Sequence, residues 1–319
     1  MGLEDRLDRL DGPAPAAVVV SGLRKSYGDD EAVRGVDFEI PAGTIYGLLG
    51  PNGAGKTTIV EILEGYRTRT SGEVSVLGAD PERGAAELRD RVGIVLQESG
   101  VDPDFTVREA LDIYGAAYSR RRPTAELIDL VGLGSKADSR TGTLSGGERR
   151  RLDLALGVVG DPDLIYLDEP TTGFDPEARR RSWDLIDGMR DEGKTILLTT
   201  HYMEEAQRLA DQVGVLAAGR LVATGPPEEL AGSSPAEAEV AFHLPAGVGA
   251  GELPLPHNAE LARSNGSVVF NTPTPTRDLA PLLSWAAERG IELDGLAVRR
   301  ATLEDAYLEL TANGQGEPE

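Results

Sequence analysis

The chain has 319 residues, with 32 Lys and Arg against 54 Asp and Glu, so its formal net charge at pH 7 is −22. A surface this acidic repels nucleic-acid backbones and anionic lipid headgroups, so no nucleic-acid partner is expected. The absence of cysteine excludes disulfides, thiolate metal sites and cysteine nucleophiles. The length and the hydrophobic content of 40% fit a folded protein of about two domains.

No segment of the sequence has the pattern of a membrane span or a secretory signal. The longest stretch without Asp, Glu, Lys or Arg runs from Ile40 to Gly55 and is interrupted by prolines and glycines. It is too short and too broken to cross a bilayer as a helix. The N-terminal residues carry acids and no apolar run. A cytoplasmic protein is therefore expected, with any membrane role exerted through a partner.

From Val18 to about Leu230, short apolar runs alternate with helical patterns. The runs TIYGLL, VGIVL, LIYL, TILLTT and VGVLA have the length and composition of buried strands. Patterns such as KTTIVEILEGY and PEARRRSWDLIDGMRDEG, which lie between them, are long enough for helices. This alternation predicts an α/β fold with a largely parallel sheet that is covered on both faces.

The sequence changes in character near both ends. Residues 1–16 are charged and then rich in Pro and Ala, which predicts a poorly ordered tail. Beyond the segment AGSSPAEA, two apolar runs and helical patterns over about 277–289 and 303–310 predict a small α+β domain. The expected divisions are a tail at 1–16, a main domain at 17–230, a linker at 231–238, a C-terminal domain at 239–312 and a second tail at 313–319.

The motif GPNGAGKT, Gly50 to Thr57, fits the phosphate-binding pattern G-x-x-x-x-G-K-S/T and lies between a predicted strand and a predicted helix. Its glycines allow backbone N–H groups to face phosphate oxygens at the positive end of the helix. Lys56 would bridge the β- and γ-phosphates, Thr57 would ligate Mg²⁺ and Thr58 would reach the α-phosphate. The predicted nucleotide-binding residues of this loop are Gly50, Asn52, Gly53, Ala54, Gly55, Lys56, Thr57 and Thr58.

A second motif, LIYLDEP, is an apolar strand that ends in two adjacent carboxylates, Asp168 and Glu169. The carboxyl edge of a parallel sheet is where such groups meet a ligand. Asp168 would hold Mg²⁺ or its water, and Glu169 would orient and deprotonate an attacking water. Taken alone, the same two acids are also typical of a turn or a helix start.

A third motif, LSGGE, has the S-x-x-E spacing of a capping box, in which Ser145 is the N-cap and Glu148 closes the box. Capping does not explain Gly146 and Gly147, because each glycine in a helix costs about 1 kcal/mol relative to alanine. Glycines at these positions leave backbone N–H groups open to an anion. The motif therefore predicts a second phosphate-binding segment.

Together, GPNGAGKT, LSGGE and LIYLDEP resemble the nucleotide-binding subunit of an ATP-binding-cassette (ABC) transporter over about residues 17–230. The resemblance implies a P-loop cassette with a mostly parallel sheet, an antiparallel β-subdomain and a helical subdomain at 98–143 that meets a transmembrane subunit. It also implies binding of ATP and Mg²⁺.

Further roles follow from the resemblance alone. It implies that Tyr27 stacks on adenine, that Gln97 contacts Mg²⁺ or the attacking water, and that His201 contacts the γ-phosphate. It places Asp175 in a loop at a dimer interface, although Asp175 is also a good N-cap for the helix that follows. Glu169, His201 and Gln97 form the expected catalytic set, and Thr57, Gln97 and Asp168 the expected metal set.

The signature departs from many members of the family at Glu148, where glutamine is common. The carboxylate brings negative charge near a phosphate site, which leaves open whether Glu148 contacts the nucleotide. The arginines at 149–151 are interpreted as a solvated helix face, and so are those at 179–181. Ser145, Gly146, Gly147 and Glu148 complete the expected nucleotide-binding set.

One P-loop and one LSGGE lie at opposite ends of the domain in this family, which implies a dimer of two copies. Each ATP would bind between the P-loop of one copy and residues 145–147 of the other. The terminal ATLEDAYLELT and the small C-terminal domain resemble ABC-2 type exporters, including the daunorubicin and multidrug resistance ATPases.

The expected function is ATP hydrolysis that powers an ABC-2 type exporter of a drug, antibiotic or lipid-like substrate. The partners would be a membrane permease and a second copy of the chain, at the cytoplasmic face of the membrane. The alternative is a soluble ABC ATPase that acts on ribosomes or DNA. That class predicts a long coiled coil or two cassettes in one chain, and this sequence shows neither.

Overall fold

The computed structural model of the chain forms two compact units, the first ending at Pro227 and the second beginning at Glu228. The described residues are 15–83, 86–95, 100–231, 238–244, 247–256, 260–261, 267–300, 303–304 and 307. Within these ranges no helix is long and apolar enough to cross a membrane. The predicted tails and linker lie almost entirely outside the described ranges, but Ala16, assigned to the N-terminal tail, begins the first strand.

The main sheet of the first unit has six strands in the order β5-β6-β7-β3-β8-β9. The first five run parallel, and β9 is antiparallel to β8 at the edge. A second sheet is antiparallel, in the order β2-β1-β4. The strands are β1 (Ala16–Tyr27), β2 (Asp30–Pro41), β3 (Ile45–Leu49), β4 (Ser71–Val76), β5 (Val92–Val95), β6 (Leu164–Asp168), β7 (Thr195–Thr200), β8 (Gln212–Ala217) and β9 (Arg220–Gly225).

Helices connect the parallel strands, as a right-handed α/β arrangement requires. Three short 3₁₀ turns lie at Pro81–Arg83, Gly134–Lys136 and Thr141–Thr143. The α-helices of this part of the chain are α1 (Lys56–Leu63), α2 (Ala86–Arg91), α3 (Val107–Gly115), α4 (Thr124–Leu130), α5 (Gly146–Gly157), α6 (Pro176–Asp191), α7 (Met203–Leu209) and α8 (Pro227–Ala231).

The main sheet is buried on both faces, which confirms the prediction drawn from the apolar runs. Successive residues of a strand point to opposite faces. In β6, Ile165 and Leu167 enter a core shared with α3, α5 and α6, whereas Leu164 and Tyr166 enter a core shared with α1 and the antiparallel sheet. Because strands covered on both sides lack a polar face, they read as continuous apolar runs in the sequence.

Four of the five residues of α8 belong to the second unit, which also has a four-stranded antiparallel sheet in the order β11-β12-β10-β13 and a longer α-helix among its described residues. Its elements are β10 (Ala238–His243), β11 (Glu260–Leu261), β12 (Ser267–Thr272), α9 (Pro275–Arg289) and β13 (Ala297–Arg300). One face of β10 and β12 packs on the helix through apolar side chains. The predicted helix began at 277, whereas α9 begins two residues earlier because proline is favoured in a first helical turn. The helix predicted over 303–310 lies mostly outside the described residues.

Candidate nucleotide-binding site

The P-loop joins β3 to α1 through backbone conformations that glycine adopts easily. Gly55, the N-cap of α1, has φ of 106°, and Gly53 has φ of 80°. A Cβ at position 55 would lie 2.6 Å from the carbonyl oxygen of Ala32, so a side chain there would collide with backbone. No side chain caps α1. Its first N–H groups are therefore available to an anion.

Lys56 is folded into the centre of this loop and is only 6% exposed. Its Nζ donates to the carbonyl oxygens of Gly50 at 2.6 Å and Pro51 at 3.1 Å. Burial lowers the pKa of Lys56, and the carboxylates of Glu169 and Asp168 oppose that shift. The loop thus holds a buried amine beside two acids from the end of β6.

A cleft of about 390 Å³ opens over the loop and combines two of the sequence motifs. P-loop residues lie on one side and the paired acids on the other. Ala54 belongs to the loop, but its side chain is buried in the core, and Ala54 is not among the residues that line the cleft. The lining residues are Ala32, Pro51, Asn52, Gly53, Gly55, Lys56, Thr57, Thr58, Asp168 and Glu169.

The cleft brings together the oxygen ligands that the sequence assigned to a metal. Thr57 and Asp168 both line it, and Thr199 on the neighbouring strand β7 donates a hydrogen bond to Asp168 Oδ1. Within the described ranges, no cluster of three or more Asp, Glu or His side chains is arranged to hold a metal. One hydroxyl and one carboxylate suit an ion that takes its remaining ligands from phosphate and water, as Mg²⁺ does. Gln97, the third predicted ligand, lies outside the described residues.

Glu169 follows β6 in a left-handed backbone conformation, with φ of 45°. Its N–H group faces the Thr199 carbonyl oxygen at 3.1 Å. Its carboxylate has one oxygen 3.1 Å from His201 Nδ1 and accepts a hydrogen bond from Thr172 Oγ1 through the other, also at 3.1 Å. The structure therefore places two of the three predicted catalytic residues, Glu169 and His201, in direct contact.

The interpretation of the arginines at 149–151 as a solvated helix face is wrong for Arg150, which is 7% exposed. Its guanidinium donates to the carbonyl oxygens of Asp168 at 2.9 Å, Glu169 at 3.2 Å and Pro170 at 3.0 Å. Burial lowers the pKa of Arg150, although nearby carboxylates oppose this. Arg149, by contrast, is exposed.

Arg179 also differs from the interpretation of 179–181 as solvated. It is about one-fifth exposed, and its guanidinium carbon lies 4.8 Å from the ring centroid of Tyr202. The ring of Tyr202 in turn lies 4.1 Å from that of His201. Arg179 therefore packs on the residue that follows the predicted γ-phosphate contact, whereas Arg180 and Arg181 are exposed.

The signature segment has the predicted capping box at the start of α5. Glu148 N–H donates to Ser145 Oγ at 3.3 Å, and Ser145 N–H donates to Glu148 Oε2 at 2.8 Å. The bond from the Ser145 backbone holds the pKa of Glu148 below its usual value, and Lys136 Nζ lies 3.5 Å from Oε1. The Glu148 carboxylate is therefore already engaged by its own helix and a lysine.

Gly146 and Gly147 face open space, since a Cβ at either position would meet nothing within 4 Å. These glycines and Ser145 are not among the described residues that line the P-loop cleft. Within one copy of the chain, the structure does not bring the signature segment to the P-loop.

Tyr27 and Asp175, like Gly50, His201 and the signature residues, are not among the residues that line the cleft. Tyr27, at the end of β1, is 42% exposed, and its ring is flanked by cations, with Lys25 Nζ 5.1 Å and Arg67 Cζ 5.2 Å from the centroid. Asp175 caps α6, and its Oδ1 accepts hydrogen bonds at 2.9 Å from the N–H groups of the residues two and three positions ahead. The predicted N-cap role of Asp175 is thus confirmed, while its interface role stays a prediction.

Sequence reasoning did not identify Arg150, Thr172 or Thr199 as parts of the site. Thr199 had a usable signal, because it lies at the carboxyl end of the predicted strand TILLTT, next to the strand that carries the acids. No sequence signal pointed to Thr172, because its contact with Glu169 depends on the turn that follows Glu169.

Known protein families match parts of both units of the chain. The ABC transporter family profile matches residues 33–172, and a C-terminal domain profile of ABC-transporter-like proteins matches 238–302. The Nod factor export ATP-binding protein I of Rhizobium johnstonii is 39% identical over 95% of this chain and 98% of that protein. The daunorubicin resistance ATP-binding protein DrrA3 of Streptomyces coeruleorubidus is 36% identical over 94% of this chain and 97% of that protein.

Solved structures give the same result for the cassette. The ATP-binding subunit of an ABC transporter superposes with a TM-score of 0.61 at 25% identity, covering 67% of this chain and 91% of that one. The cbiO1 subunit of Clostridium perfringens, part of an ABC transporter complex, superposes with a TM-score of 0.61 at 28% identity. That match covers 67% of this chain and 90% of the cbiO1 chain. The resemblance inferred from the three motifs is confirmed, and the chain belongs to the ABC transporter family as an ATP-binding subunit that hydrolyses ATP.

Proposed function

We propose that this chain powers an ABC-2 type exporter by hydrolysing ATP at the cytoplasmic face of the membrane, where a permease subunit holds it. The observation that carries the enzymatic part is the shared cleft of Lys56, Asp168 and Glu169. Relatives that match nearly the whole chain are named for Nod factor export and daunorubicin resistance. These names favour export of a drug, antibiotic or lipid-like molecule over action on ribosomes or DNA.

In the proposed reaction, the P-loop binds the phosphates of ATP. Backbone N–H groups around Gly53 and Gly55 face the phosphate oxygens, and Lys56 exchanges its loop carbonyl partners for the β- and γ-phosphates. Thr57 and Asp168 would hold Mg²⁺, together with Gln97. When bound, the ion would neutralise charge on the phosphates. Tyr27 offers an exposed ring on which adenine would stack.

Glu169 is the proposed general base for the attacking water. Thr172 donates a hydrogen bond to one of its carboxylate oxygens and His201 Nδ1 lies 3.1 Å from the other, which restricts the direction in which the carboxylate faces. A base held in this way receives the proton of the water as its oxygen attacks the γ-phosphorus. His201 is the proposed contact to the γ-phosphate.

The proposed active form contains two copies of the chain. Ser145 is exposed, Gly146 and Gly147 face open space, and none of the three lines the cleft, which suits a phosphate-binding segment that serves the second copy. Asp175 would lie at the interface. ATP would then join the copies, and hydrolysis would release them, which transmits the state of the γ-phosphate to the permease.

The test is purification of the tagged chain from detergent-solubilised native membranes, followed by identification of bound proteins and an ATPase assay. A multi-helix membrane protein should co-purify. Lys56→Ala should lower ATPase activity at least ~100-fold, because a preorganised cation is lost from the phosphate site. Arg83→Ala, which removes a cation that is 88% exposed, is the matched control and should keep full activity.

Two results would count against this function. Recovery of ribosomes or DNA with an active ATPase would favour the soluble class of ABC proteins. An ATPase rate that Lys56→Ala leaves unchanged would show that the cleft is not the site of hydrolysis.

The second unit is proposed to be a separate C-terminal domain over about 239–312. Its own sheet and apolar core support this division. The exact boundaries of the tails and the linker stay predictions.

A further inference from the structure

Arg150 is a buried cation in a position that none of the three nucleotide motifs explains. It lies in the second turn of α5, and its guanidinium donates to three consecutive carbonyl oxygens, those of Asp168, Glu169 and Pro170. These bonds carry a positive charge on the donor, which makes each of them stronger than a neutral hydrogen bond. Arg150 therefore binds the backbone of the turn that carries both acids.

That turn has a conformation that needs support. Glu169 has φ of 45°, which is uncommon for a residue with a Cβ and costs of order 1 kcal/mol. Thr199 of β7 accepts from the N–H group of Glu169, while Arg150 donates to its carbonyl oxygen. The peptide groups on both sides of the Glu169 side chain are consequently held by other elements.

Holding the backbone fixes the carboxylate. A rotation at Glu169 would move one carboxylate oxygen away from His201 and the other away from Thr172, both of which lie at 3.1 Å. Displacements of about 1 Å in a catalytic group can reduce a rate roughly 100-fold. We infer that Arg150 is a positioning residue that sets the Glu169 carboxylate for ATP hydrolysis, an inference that rests on the proposed function.

The chemistry of the site requires arginine. A guanidinium is planar and presents five N–H donors in a rigid fork, so it can reach several carbonyls at once, whereas an ammonium is a single point charge. A buried cation is also expensive unless its donors are satisfied. A side chain that only filled space between α5 and the turn would be cheaper as an apolar residue, so the charge points to a role in fixing the carbonyls.

The test compares Arg150→Lys with Arg149→Lys in the full chain. Arg149 is the neighbouring, exposed arginine of the same helix and serves as the matched control. We expect Arg150→Lys to lower kcat for ATP at least ~10-fold while KM stays within about threefold, because phosphate binding by the P-loop is untouched. Arg149→Lys should leave both within about twofold.

A second set of variants distinguishes a role of Arg150 in positioning Glu169 from a general effect of Arg150 on the stability of the fold. Both lysine variants are combined with Glu169→Gln, and slow hydrolysis of radiolabelled ATP is followed over hours. If Arg150 acts through the Glu169 carboxylate, Arg150→Lys should add less than about twofold in this background, because there is no base left to position. Melting curves of the same variants show whether the fold is retained.

The inference is overturned if Arg150→Lys leaves kcat unchanged, changes KM alone, reduces the rate equally in both backgrounds, or fails to fold. Lys56→Ala runs beside these variants. If Lys56→Ala does not reduce the wild-type rate, the ATPase assignment itself fails, and this inference fails with it. If Lys56→Ala does reduce the rate but Arg150→Lys behaves as just described, the role of Arg150 alone is overturned.

Discussion

The charge of the Glu64 carboxyl group at neutral pH depends on its surroundings in the folded chain. It is the C-cap of α1 and lines a groove of about 880 Å³ together with side chains that include Ile94, Phe105 and Tyr118. Burial raises the pKa of Glu64 to about 7, and the carboxylate of Asp168 adds to the shift. The folded chain therefore binds a proton at Glu64 at pH values where the unfolded chain, with a pKa near 4.5, has released it.

This difference predicts a specific pH dependence of stability. A raised pKa gives a contribution that is complete below pH 4.5 and is lost as the pH rises toward 7. Glu64→Gln keeps the shape without the ionisation. We expect the advantage of the variant over the wild type in free energy of unfolding to grow by about 2.5 kcal/mol between pH 5 and pH 8, the range over which most of the wild-type contribution is lost.

The measurement is urea unfolding followed at Trp183 in a Trp285→Phe background, which reports the first unit alone. Asp80→Asn is the control, because ion pairing with Arg69 lowers the pKa of Asp80 to about 2, and its titration ends below this pH range. The Asp80→Asn difference should be constant from pH 5 to 8. A constant difference for Glu64→Gln as well would contradict the assigned protonation of Glu64.

Some residues of the candidate site could be predicted from the local sequence, and others could not. Lys56, Asp168 and Glu169 could be predicted because each belongs to a motif whose strand and helix fix its position. Arg150 was misread because a run of three arginines suggests a solvated face. Helical spacing gave little signal, because Leu154 is the only large apolar residue among the buried residues three, four and seven positions after Arg150.

At the scale of elements, α5 and β5 approach each other through glycines. A Cβ at Gly93 in β5 would collide with the carbonyl oxygen of Gly157, and a Cβ at Gly157 would collide with Val95. The helix that begins at the signature segment therefore rests directly on the backbone of the strand that leads to Gln97. The contact leaves no room for a methyl group at Gly93 or Gly157.

Gly93, at this contact, and Gly188, in α6 and away from it, should respond in opposite ways to replacement by alanine. Gly93→Ala should destabilise the first unit by at least about 2 kcal/mol, because the collision involves backbone that cannot move aside cheaply. Gly188→Ala, in the last turn of α6, meets nothing within 4 Å and should stabilise the same unit by about 0.5 kcal/mol through helix propensity. Unfolding at Trp183 measures both. A Gly93→Ala variant as stable as the wild type would show that β5 and α5 separate easily.

The parallel strands were predictable as elements, whereas hydrophobic periodicity did not indicate the antiparallel sheet. Strands β1 and β2 are each 12 residues long, but their pairing is interrupted by register shifts, for example between Val20 and Leu23. A bulge breaks the alternation of buried and exposed residues on which strand prediction depends. The family resemblance supplied this subdomain because the local pattern could not.

At the scale of the whole molecule, charge opposes the association of two copies. Each chain carries −22, so two copies repel one another at long range. Association therefore requires a short-range attraction, which the proposal assigns to ATP held between the P-loop of one copy and residues 145–147 of the other. Stopping hydrolysis should make that attraction persist.

We expect Glu169→Gln with ATP and Mg²⁺ to sediment as a dimer, while the wild type returns to a monomer as ATP is consumed. The dimer should form more readily at roughly 0.3 M than at 0.03 M salt, because a shorter Debye length screens the repulsion between acidic surfaces. Lys56→Ala combined with Glu169→Gln is the matched control and should stay monomeric. A Glu169→Gln chain that remains monomeric at saturating ATP would contradict the shared-nucleotide arrangement. Gly146 and Gly147 of one copy would then have no ATP of a second copy to bind.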